Sequence, residues 1–163
     1  MRQRIEDLTG RFNDIGTRLG TQGAGYEFEQ WFYDLIDYFE IPARRPYTHD
    51  GRQIDGSVTV GDTTYLVELK FTTSQSDSPT VDTFLRKVTT KADNTMGIMV
   101  SMSGYSSTAI QEASGPRTPL LLLDYSHVLM LLRGVMTFRE LVERVRRHAS
   151  QTGVAFLAAN DFG

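Results

Sequence analysis

Two carboxylates and one lysine stand on either side of a short turn in the first half of the chain. Asp55 precedes the dipeptide Gly61-Asp62, and Glu68 and Lys70 follow it in the triplet Glu68-Leu-Lys70. Two acids brought together bind a hard divalent cation such as Mg²⁺, and an ammonium beside them stabilises negative charge that develops on a phosphoryl group. These residue types are those of metal-dependent phosphodiester hydrolysis.

A β-hairpin is the element that has to position these side chains. Residues 53–60 and 63–71 are rich in β-branched and aromatic residues, as strands usually are. The dipeptide Gly61-Asp62 between them is typical of a two-residue turn. Such a turn determines which residues face each other, because the register of a short hairpin follows from the length of its loop.

The register of this hairpin predicts that Asp55 lies opposite Glu68 and that Gln53 lies opposite Lys70. Cross-strand neighbours have β-carbons about 4.5 to 5.5 Å apart, so the two carboxylates repel each other unless a cation lies between them. A divalent metal held by both acids and by one backbone carbonyl, that of Leu69, would stabilise the pair. The alternative is an exposed hairpin face with a surface salt bridge.

The rest of the chain predicts an α/β fold, with a central mixed β-sheet flanked by helices. Apolar residues recur at helical spacing in segments 1–20, 26–40, 81–92, 128–132 and 138–145, and a further short helix is expected from about residue 106. Short apolar runs at 97–103 and 119–124 have the length of interior strands. The expected order alternates helices and strands after the hairpin.

The chain is expected to divide into an N-terminal amphipathic helix at 1–21, a main domain at 22–150 and a loose C-terminal tail at 151–163. The apolar stripe of the first helix has two alternative interpretations. It either packs on the main domain or forms the seam of a homodimer through residues 1–20. The sequence alone leaves both alternatives open.

Composition and charge narrow the classes of function. The chain has 163 residues, no cysteine, three scattered histidines and a formal net charge of -3. Without cysteine there is no thiolate zinc site, so a metal needs oxygen or histidine ligands. The acidic balance argues against holding nucleic acid by bulk positive charge, although it permits a local basic patch. The sequence has no long apolar run and no signal-peptide core, which predicts a cytoplasmic protein without a membrane segment.

Four short stretches carry a resemblance to a known family. They are Gly25-Tyr-Glu-Phe-Glu29, Gln53-Ile-Asp55-Gly56, Glu68-Leu-Lys70 and the strand and glycine turn of residues 97–106. On these stretches the chain resembles the PD-(D/E)xK nuclease superfamily, and within it the restriction-endonuclease-like, Mrr-type domains, over about residues 22–135. One position departs from the motif, because Ile54 stands where its name places proline. That position is structural and is not a metal ligand.

The resemblance implies an αβββαβ core, to which the N-terminal amphipathic helix is an addition. It implies Mg²⁺, with Mn²⁺ as a substitute, held by Asp55 and Glu68 beside a catalytic Lys70. It also implies an auxiliary acid at Glu29, for which Glu27 is the alternative two residues earlier. The reaction implied is cleavage of nucleic acid that leaves a 5′-phosphate.

Several further residues are candidate contacts to a nucleic-acid backbone. They are Gln53, Arg44, Arg45, Arg52, Lys87, Ser103 and Gly104. The arginines form the most basic local run, Lys87 lies on the helix after the hairpin, and the Ser-Gly pair precedes a helix N-terminus. Each has a structural alternative, namely a solvated loop, an exposed helix face and a helix cap.

The function that we expect is a Mg²⁺-dependent DNA endonuclease, a cleavage module of restriction or antiphage defence type that acts on double-stranded DNA. The domain is small, so target choice is expected from a homodimer or from a recognition or regulatory partner. One alternative is a structure-selective nuclease for junctions or RNA. Another is a non-catalytic module that binds nucleic acid or assembles a complex, although paired acids add little to a surface that binds phosphates.

Overall fold

The structure is a computed structural model, and it describes residues 4–163. Its α-helices are α1 Ile5–Gly16, α2 Gln22–Tyr38, α3 Ser78–Thr89, α4 Ser107–Ala113, α5 Tyr125–Leu132 and α6 Phe138–Thr152. Its strands are β1 Ala43–Arg44, β2 Tyr47–His49, β3 Arg52–Ile54, β4 Ser57–Val60, β5 Thr63–Lys70, β6 Met96–Ser101 and β7 Leu120–Asp124. A short 3₁₀ helix, Ala159–Asp161, closes the chain. Within the described residues, no helix is both long and apolar enough to cross a bilayer.

A five-stranded mixed sheet in the order β1-β4-β5-β6-β7 forms the centre of the fold. Strands β1, β4 and β5 pair antiparallel, whereas β5, β6 and β7 run parallel. Alternate residues of the parallel strands face two separate cores. One core contains the buried faces of α1, α2, α5 and α6, and the other contains those of α3 and α4. The predicted mixed α/β fold with helices on both faces of its sheet is confirmed.

The first strand of the predicted hairpin is interrupted at Asp55-Gly56. The residues of β4 pair with β5 in the predicted register, across the turn that was expected. Before β4 the chain leaves this sheet, and β3 pairs instead with β2 in a separate two-stranded sheet. The prediction that Gln53 lies opposite Lys70 is therefore wrong, because Gln53 pairs with Thr48.

The apolar stripe of α1 is buried in the core of the same chain. Leu8, Phe12 and Ile15 are almost inaccessible to solvent. The indole nitrogen of Trp31 in α2 donates a hydrogen bond to the carbonyl of Leu8 at 2.8 Å, and its ring stacks on Phe12. Of the two alternatives for this stripe, the structure therefore shows packing on the main domain. Residues 1–3 of the predicted homodimer seam lie outside the described residues.

The C-terminal segment is packed, so the prediction of a loose tail at 151–163 is wrong. The amide of Leu122 in β7 donates to the carbonyl of Ala155 at 3.0 Å, and Ala155 is fully buried. The imidazole of His127 accepts a hydrogen bond at Nδ1, so its Nε2 donates to the carbonyl of Leu157, 2.8 Å away. Long-range hydrogen bonds and burial keep this segment packed on the domain, although its own sequence lacks the apolar periodicity of a strand or a helix.

Candidate active site

The break between β3 and β4 places Asp55 beside Glu68. The amide of Val67 donates to the carbonyl of Gly56 at 3.0 Å, so the register of β4 and β5 continues one residue beyond β4. On the other side, the guanidinium of Arg44 donates to the carbonyl of Asp55 at 2.9 Å. The backbone around Asp55 is thus held from both sides, which leaves its carboxylate to face the neighbouring strand.

The carboxylates of Asp55 and Glu68 converge on one cation, the ammonium of Lys87 in α3. The Nζ atom lies 3.5 Å from Oδ1 of Asp55 and 3.9 Å from Oε2 of Glu68. About a quarter of each acidic side chain is exposed, at 25% and 23%. The structure therefore brings together the two acids that the hairpin register pairs, and it adds a basic residue from another element.

Glu29 of α2 lies close enough to Glu68 for the two carboxylates to repel each other. Partial burial, and then the negative charge of Glu68, raise the pKa of the Glu29 carboxyl. The alternative residue, Glu27, is exposed and forms an ion pair with Arg18 instead. We call Asp55, Glu68 and Glu29 the acidic patch.

Tyr33 is a member of this site that sequence analysis missed. It lies one helical turn after Glu29 on α2 and is only 2% exposed. Burial, and then the negative charges of Glu29 and Asp55, raise the pKa of its hydroxyl far above the ordinary value. The i, i+4 spacing of Glu29 and Tyr33 on one helix face was the available signal, because such residues are neighbours on the helix surface.

Gly56 allows the chain to bend against Tyr33. A Cβ atom built on Gly56 would lie 2.0 Å from the Tyr33 hydroxyl oxygen and 2.8 Å from Cδ of Pro46. No side chain fits in that space, so a residue other than glycine would push the backbone beside Asp55 out of place. The bend that interrupts the hairpin strand thus depends on this close approach.

Replacing Gly56 by alanine is expected to lower the free energy of unfolding by about 1 to 3 kcal/mol, the usual range for overpacking. A urea titration followed by circular dichroism measures the change. Adding Tyr33→Phe to the same chain should recover part of the loss, because it removes the nearest clashing atom. Gly10→Ala is the control, since a Cβ there meets nothing within 4 Å. Equal stability of Gly56→Ala and the wild type would contradict this account of the bend.

Lys70 ends β5 and lies on the same strand face as Glu68. Its backbone carbonyl accepts a hydrogen bond from Met102 at 3.0 Å, which ties the end of β5 to the chain after β6. Leu66 on this face contributes to the core beneath α3, whereas Leu69 packs against the opposite core. The alternation therefore directs the side chains of Glu68 and Lys70 to the α3 side, where Lys87 lies.

The donors at the acidic patch suit a hard divalent cation. In residues 4–163, no three Asp, Glu or His side chains are grouped closely enough to form a metal cluster by themselves. Mg²⁺ keeps several of its water ligands, so two carboxylates and a backbone carbonyl are nevertheless a usual set of protein ligands for it. The ammonium of Lys87 is itself a single cation that compensates the charges of both Asp55 and Glu68. The residues present fit Mg²⁺ or Mn²⁺.

Of the other predicted nucleic-acid contacts, Gln53 lines the same cleft as Asp55. Arg45 is paired with Asp34 at 2.7 Å and with Asp37 at 3.1 Å, so its charge is already compensated by α2. Arg52 and Gln53 are exposed on β3. The structure thus leaves the β3 side chains accessible and ties Arg45 to the helix that carries Glu29.

Ser103 and Gly104 form a turn between β6 and α4. The hydroxyl of Ser103 donates to the carbonyl of Thr72, and the carbonyl of Gly104 accepts from Ser101 at 2.9 Å. Gly104 has a φ of 77°, a left-handed conformation that glycine adopts without strain. Ser106 then caps α4. This arrangement corresponds to the structural alternative for Ser103 and Gly104, a turn that leads into a helix cap.

A cleft of about 560 Å³ opens between β3 and α3. Its lining residues are Gln53, Asp55, Thr83, Arg86, Lys87, Thr90 and Lys91, which we call the basic cleft. The basic side chains come from α3 and the residues just after it, whereas the Asp55 carboxylate belongs to the acidic patch. The cleft therefore leads from a basic wall to Asp55, one of the two acids.

Comparisons with known proteins concern the family and the fold of the chain. Residues 22–132 match the family model Mrr_cat, described as restriction endonuclease. The fold is similar to that of the DNA modification-dependent restriction endonuclease AspBHI, at 15% identity and a TM-score of 0.54 over 92% of this chain and 41% of that one. The MspJI restriction endonuclease in complex with a 27-mer oligonucleotide is also matched, at 13% identity and a TM-score of 0.48 over 92% of this chain and 37% of that one. No curated protein sequence matches the chain, which spans less than half the length of either solved structure.

Proposed function

The chain belongs to the Mrr-type restriction endonuclease family, and from this we propose that it is a Mg²⁺-dependent DNA endonuclease, with Mn²⁺ as a substitute. The observation that carries the proposal is the convergence of Asp55 and Glu68 on a single cation. Lys70 lies on the same face of β5 as Glu68. A surface that only binds DNA would gain nothing from an excess of carboxylates next to phosphates.

In the proposed reaction, Asp55 and Glu68 would hold the metal together with the backbone carbonyl of Leu69. When bound there, the metal would supply Lewis acidity and a more acidic water. Lys70 stabilises the negative charge that develops on the phosphoryl oxygens. The raised pKa of Glu29 makes its carboxylate a better proton acceptor than an ordinary glutamate. The water oxygen bonds to phosphorus as Glu29 takes its proton, the bond from phosphorus to O3′ breaks, and a proton from solvent water reaches O3′, which leaves a 5′-phosphate and a 3′-hydroxyl.

The basic cleft is the proposed path of the DNA backbone to the acidic patch. Lys87 and Lys91 give its α3 wall positive charge, together with Arg86, which pairs with Asp82 at 2.9 Å, while Gln53 lines the opposite side. Contacts to phosphates supply affinity and orientation without reading the sequence. The net charge of -3 makes this local positive wall important, because the chain as a whole repels nucleic acid. Arg44 and Arg52 extend the proposed contact surface.

We propose that target choice comes from outside this domain. The chain covers 41% of AspBHI, whose name describes dependence on DNA modification, so a larger part of that protein has no counterpart here. A second copy, a recognition domain or a regulatory partner would then direct cleavage to its site. The proposed setting is a bacterial restriction or antiphage defence system, in which a cleavage module is joined to a separate means of recognition.

The direct test is incubation of the protein with supercoiled plasmid in Mg²⁺, in Mn²⁺ or in EDTA. We expect nicked or linear plasmid with either metal and none with EDTA. Parallel assays with branched DNA, single-stranded DNA and RNA distinguish a general DNA endonuclease from a structure-selective or RNA nuclease. If no substrate is cut in either metal, while DNA binds equally well in EDTA, the chain is a non-catalytic module and the proposal is wrong.

A further inference from the structure

In the part of the chain that the structure describes, Lys87 is the only basic residue whose side-chain nitrogen lies within 4 Å of a carboxylate oxygen of Asp55 or Glu68. It pairs with Asp55 and Glu68 together, and 42% of its side chain is exposed. Lys87 belongs to α3, whereas the acids belong to the β3–β4 junction and to β5. The ion pair therefore connects the positive wall of the basic cleft with the proposed metal ligands.

An ion held by Asp55 and Glu68 would compete with this ammonium for the same oxygens. The helix that carries Lys87 is fixed, because Val81, Phe84 and Val88 are buried in the core beneath the sheet. Its four-carbon side chain is flexible, so the ammonium can move while the helix backbone stays in place. Repulsion between two cations supplies the force for that movement.

We propose that Lys87 is an internal counter-ion that neutralises the acids in the metal-free protein and is displaced into the basic cleft when metal binds. This inference rests on the proposed function, since it needs a metal at Asp55 and Glu68. The displaced ammonium remains among Thr83, Thr90 and Lys91, which line the same cleft. There it binds a phosphodiester oxygen of the substrate, as lysine does at many phosphate sites.

This exchange couples metal binding to DNA binding. In the metal-free protein the acids compete with DNA phosphates for the ammonium of Lys87, and in the metal-bound protein they no longer do. Metal therefore strengthens DNA binding, and DNA strengthens metal binding by the same factor, because binding equilibria that share a cycle are reciprocal. In a variant without Lys87, the part of the coupling between metal binding and DNA binding that depends on Lys87 is lost.

The first measurement is calorimetric titration of the protein with Mn²⁺ and Mg²⁺ in the absence of DNA. Lys87→Met is expected to bind metal about fivefold to tenfold more tightly than the wild type, because a partly exposed ion pair no longer competes. Lys91→Met is the matched control. It removes the same charge from the same cleft, yet among the described residues Lys91 forms no ion pair with either acid, so its metal affinity should change less than about twofold.

The second measurement is DNA affinity by fluorescence anisotropy, in EDTA and in Ca²⁺, a hard cation that also takes carboxylate oxygens. The gain in affinity on adding Ca²⁺ is expected to be about fivefold to tenfold smaller for Lys87→Met than for the wild type. It should be unchanged for Lys87→Arg, which keeps the charge. If Lys87→Met does not fold, Lys87→Gln takes its place in both measurements.

The outcomes separate this inference from the proposed function. If the wild type binds metal and Lys87→Met binds it with the same affinity, the counter-ion role is overturned while the metal-dependent nuclease stands. If neither the wild type nor any variant binds Mg²⁺ or Mn²⁺, the proposed function is overturned as well. Tighter metal binding by Lys87→Met, with a smaller gain in DNA affinity, supports the inference.

Discussion

The Lys70→Ala variant is expected to fold normally and to cleave plasmid DNA about a thousandfold more slowly than the wild type. Lys70 lies on the same face of β5 as Glu68, and in the proposed reaction its charge would stabilise the negative charge that develops on the phosphoryl group. Removing one preorganised donor to such a charge costs about 10² to 10³ in rate. We expect the upper end of this range of rate loss, because the Lys70 ammonium carries a full positive charge whereas a neutral hydrogen-bond donor does not.

The measurement for Lys70→Ala is the rate of supercoiled plasmid loss in Mg²⁺ with the protein in excess over the plasmid. Circular dichroism and a urea titration establish that the variant is folded, as expected for a partly exposed residue at a strand end. Arg139→Ala serves as the control. It removes a positive charge from an exposed position on α6, where Arg139 pairs with Glu143, and it should cut at the wild-type rate. Wild-type cleavage by folded Lys70→Ala would remove Lys70 from the mechanism.

The Glu68→Gln variant is expected to lose metal binding, by about a hundredfold or more in affinity, and to lose cleavage with it. The substitution keeps the shape of the side chain but removes one of the two proposed carboxylate ligands. Altering groups that only support a metal ligand already costs about 10- to 100-fold, so the loss of a ligand charge should reach at least the upper end. The remaining acid, Asp55, then faces Lys87 alone.

Thermal unfolding with and without metal gives a readout of Glu68→Gln that does not depend on activity. A metal at a hundred times its dissociation constant stabilises a folded protein by about 2.7 kcal/mol. The wild type should therefore show a higher melting temperature in Mn²⁺ than in EDTA, and Glu68→Gln should show the same temperature in both. Glu27→Gln is the matched control, because Glu27 pairs with Arg18 outside the acidic patch. A metal-dependent shift of wild-type size in Glu68→Gln would show that the metal lies elsewhere.

The acidic patch explains why one substitution should change several measurements. Partial burial, and then the negative charge of Glu68, raise the pKa of Glu29 in this patch. In the metal-free protein Lys87 compensates part of the negative charge. A divalent ion would compensate more of it, so stability, metal affinity and DNA affinity are expected to change together.

The pairing of Asp55 with Glu68 followed from the sequence, because it depends on local rules. The turn at Gly61-Asp62 has a length that fixes the register of β4 and β5, and the period of a strand puts Glu68 and Lys70 on one face. The interior strands β6 and β7 are short apolar runs of the usual strand length, and the sequence placed them within a few residues. The resemblance to the nuclease superfamily depended on these same stretches.

Other features depended on elements that are distant in the sequence. The chain bends at Gly56, where Tyr33 of α2 occupies the space that a side chain would need. Nothing near Gly56 in the sequence indicates that Tyr33 lies there. The tail near Ala155 packs because β7 offers it hydrogen-bond partners. Lys87 reaches the acids because α3 packs across the sheet beside β5. Its own sequence context does not indicate this contact, because a charged helix residue is more often solvated.

The sequence by itself thus determined the residue types of the candidate site, the register that brings Asp55 near Glu68 and the α/β class, since turn length, side-chain period and local composition are properties of neighbouring residues. Tertiary structure decided the bend at Gly56, which of Glu29 and Glu27 lies near Glu68, the burial of the α1 stripe and the position of Lys87. Each of these depends on which surfaces meet when the helices pack on the sheet. The pattern within any one segment carries no information about the segment that will cover it.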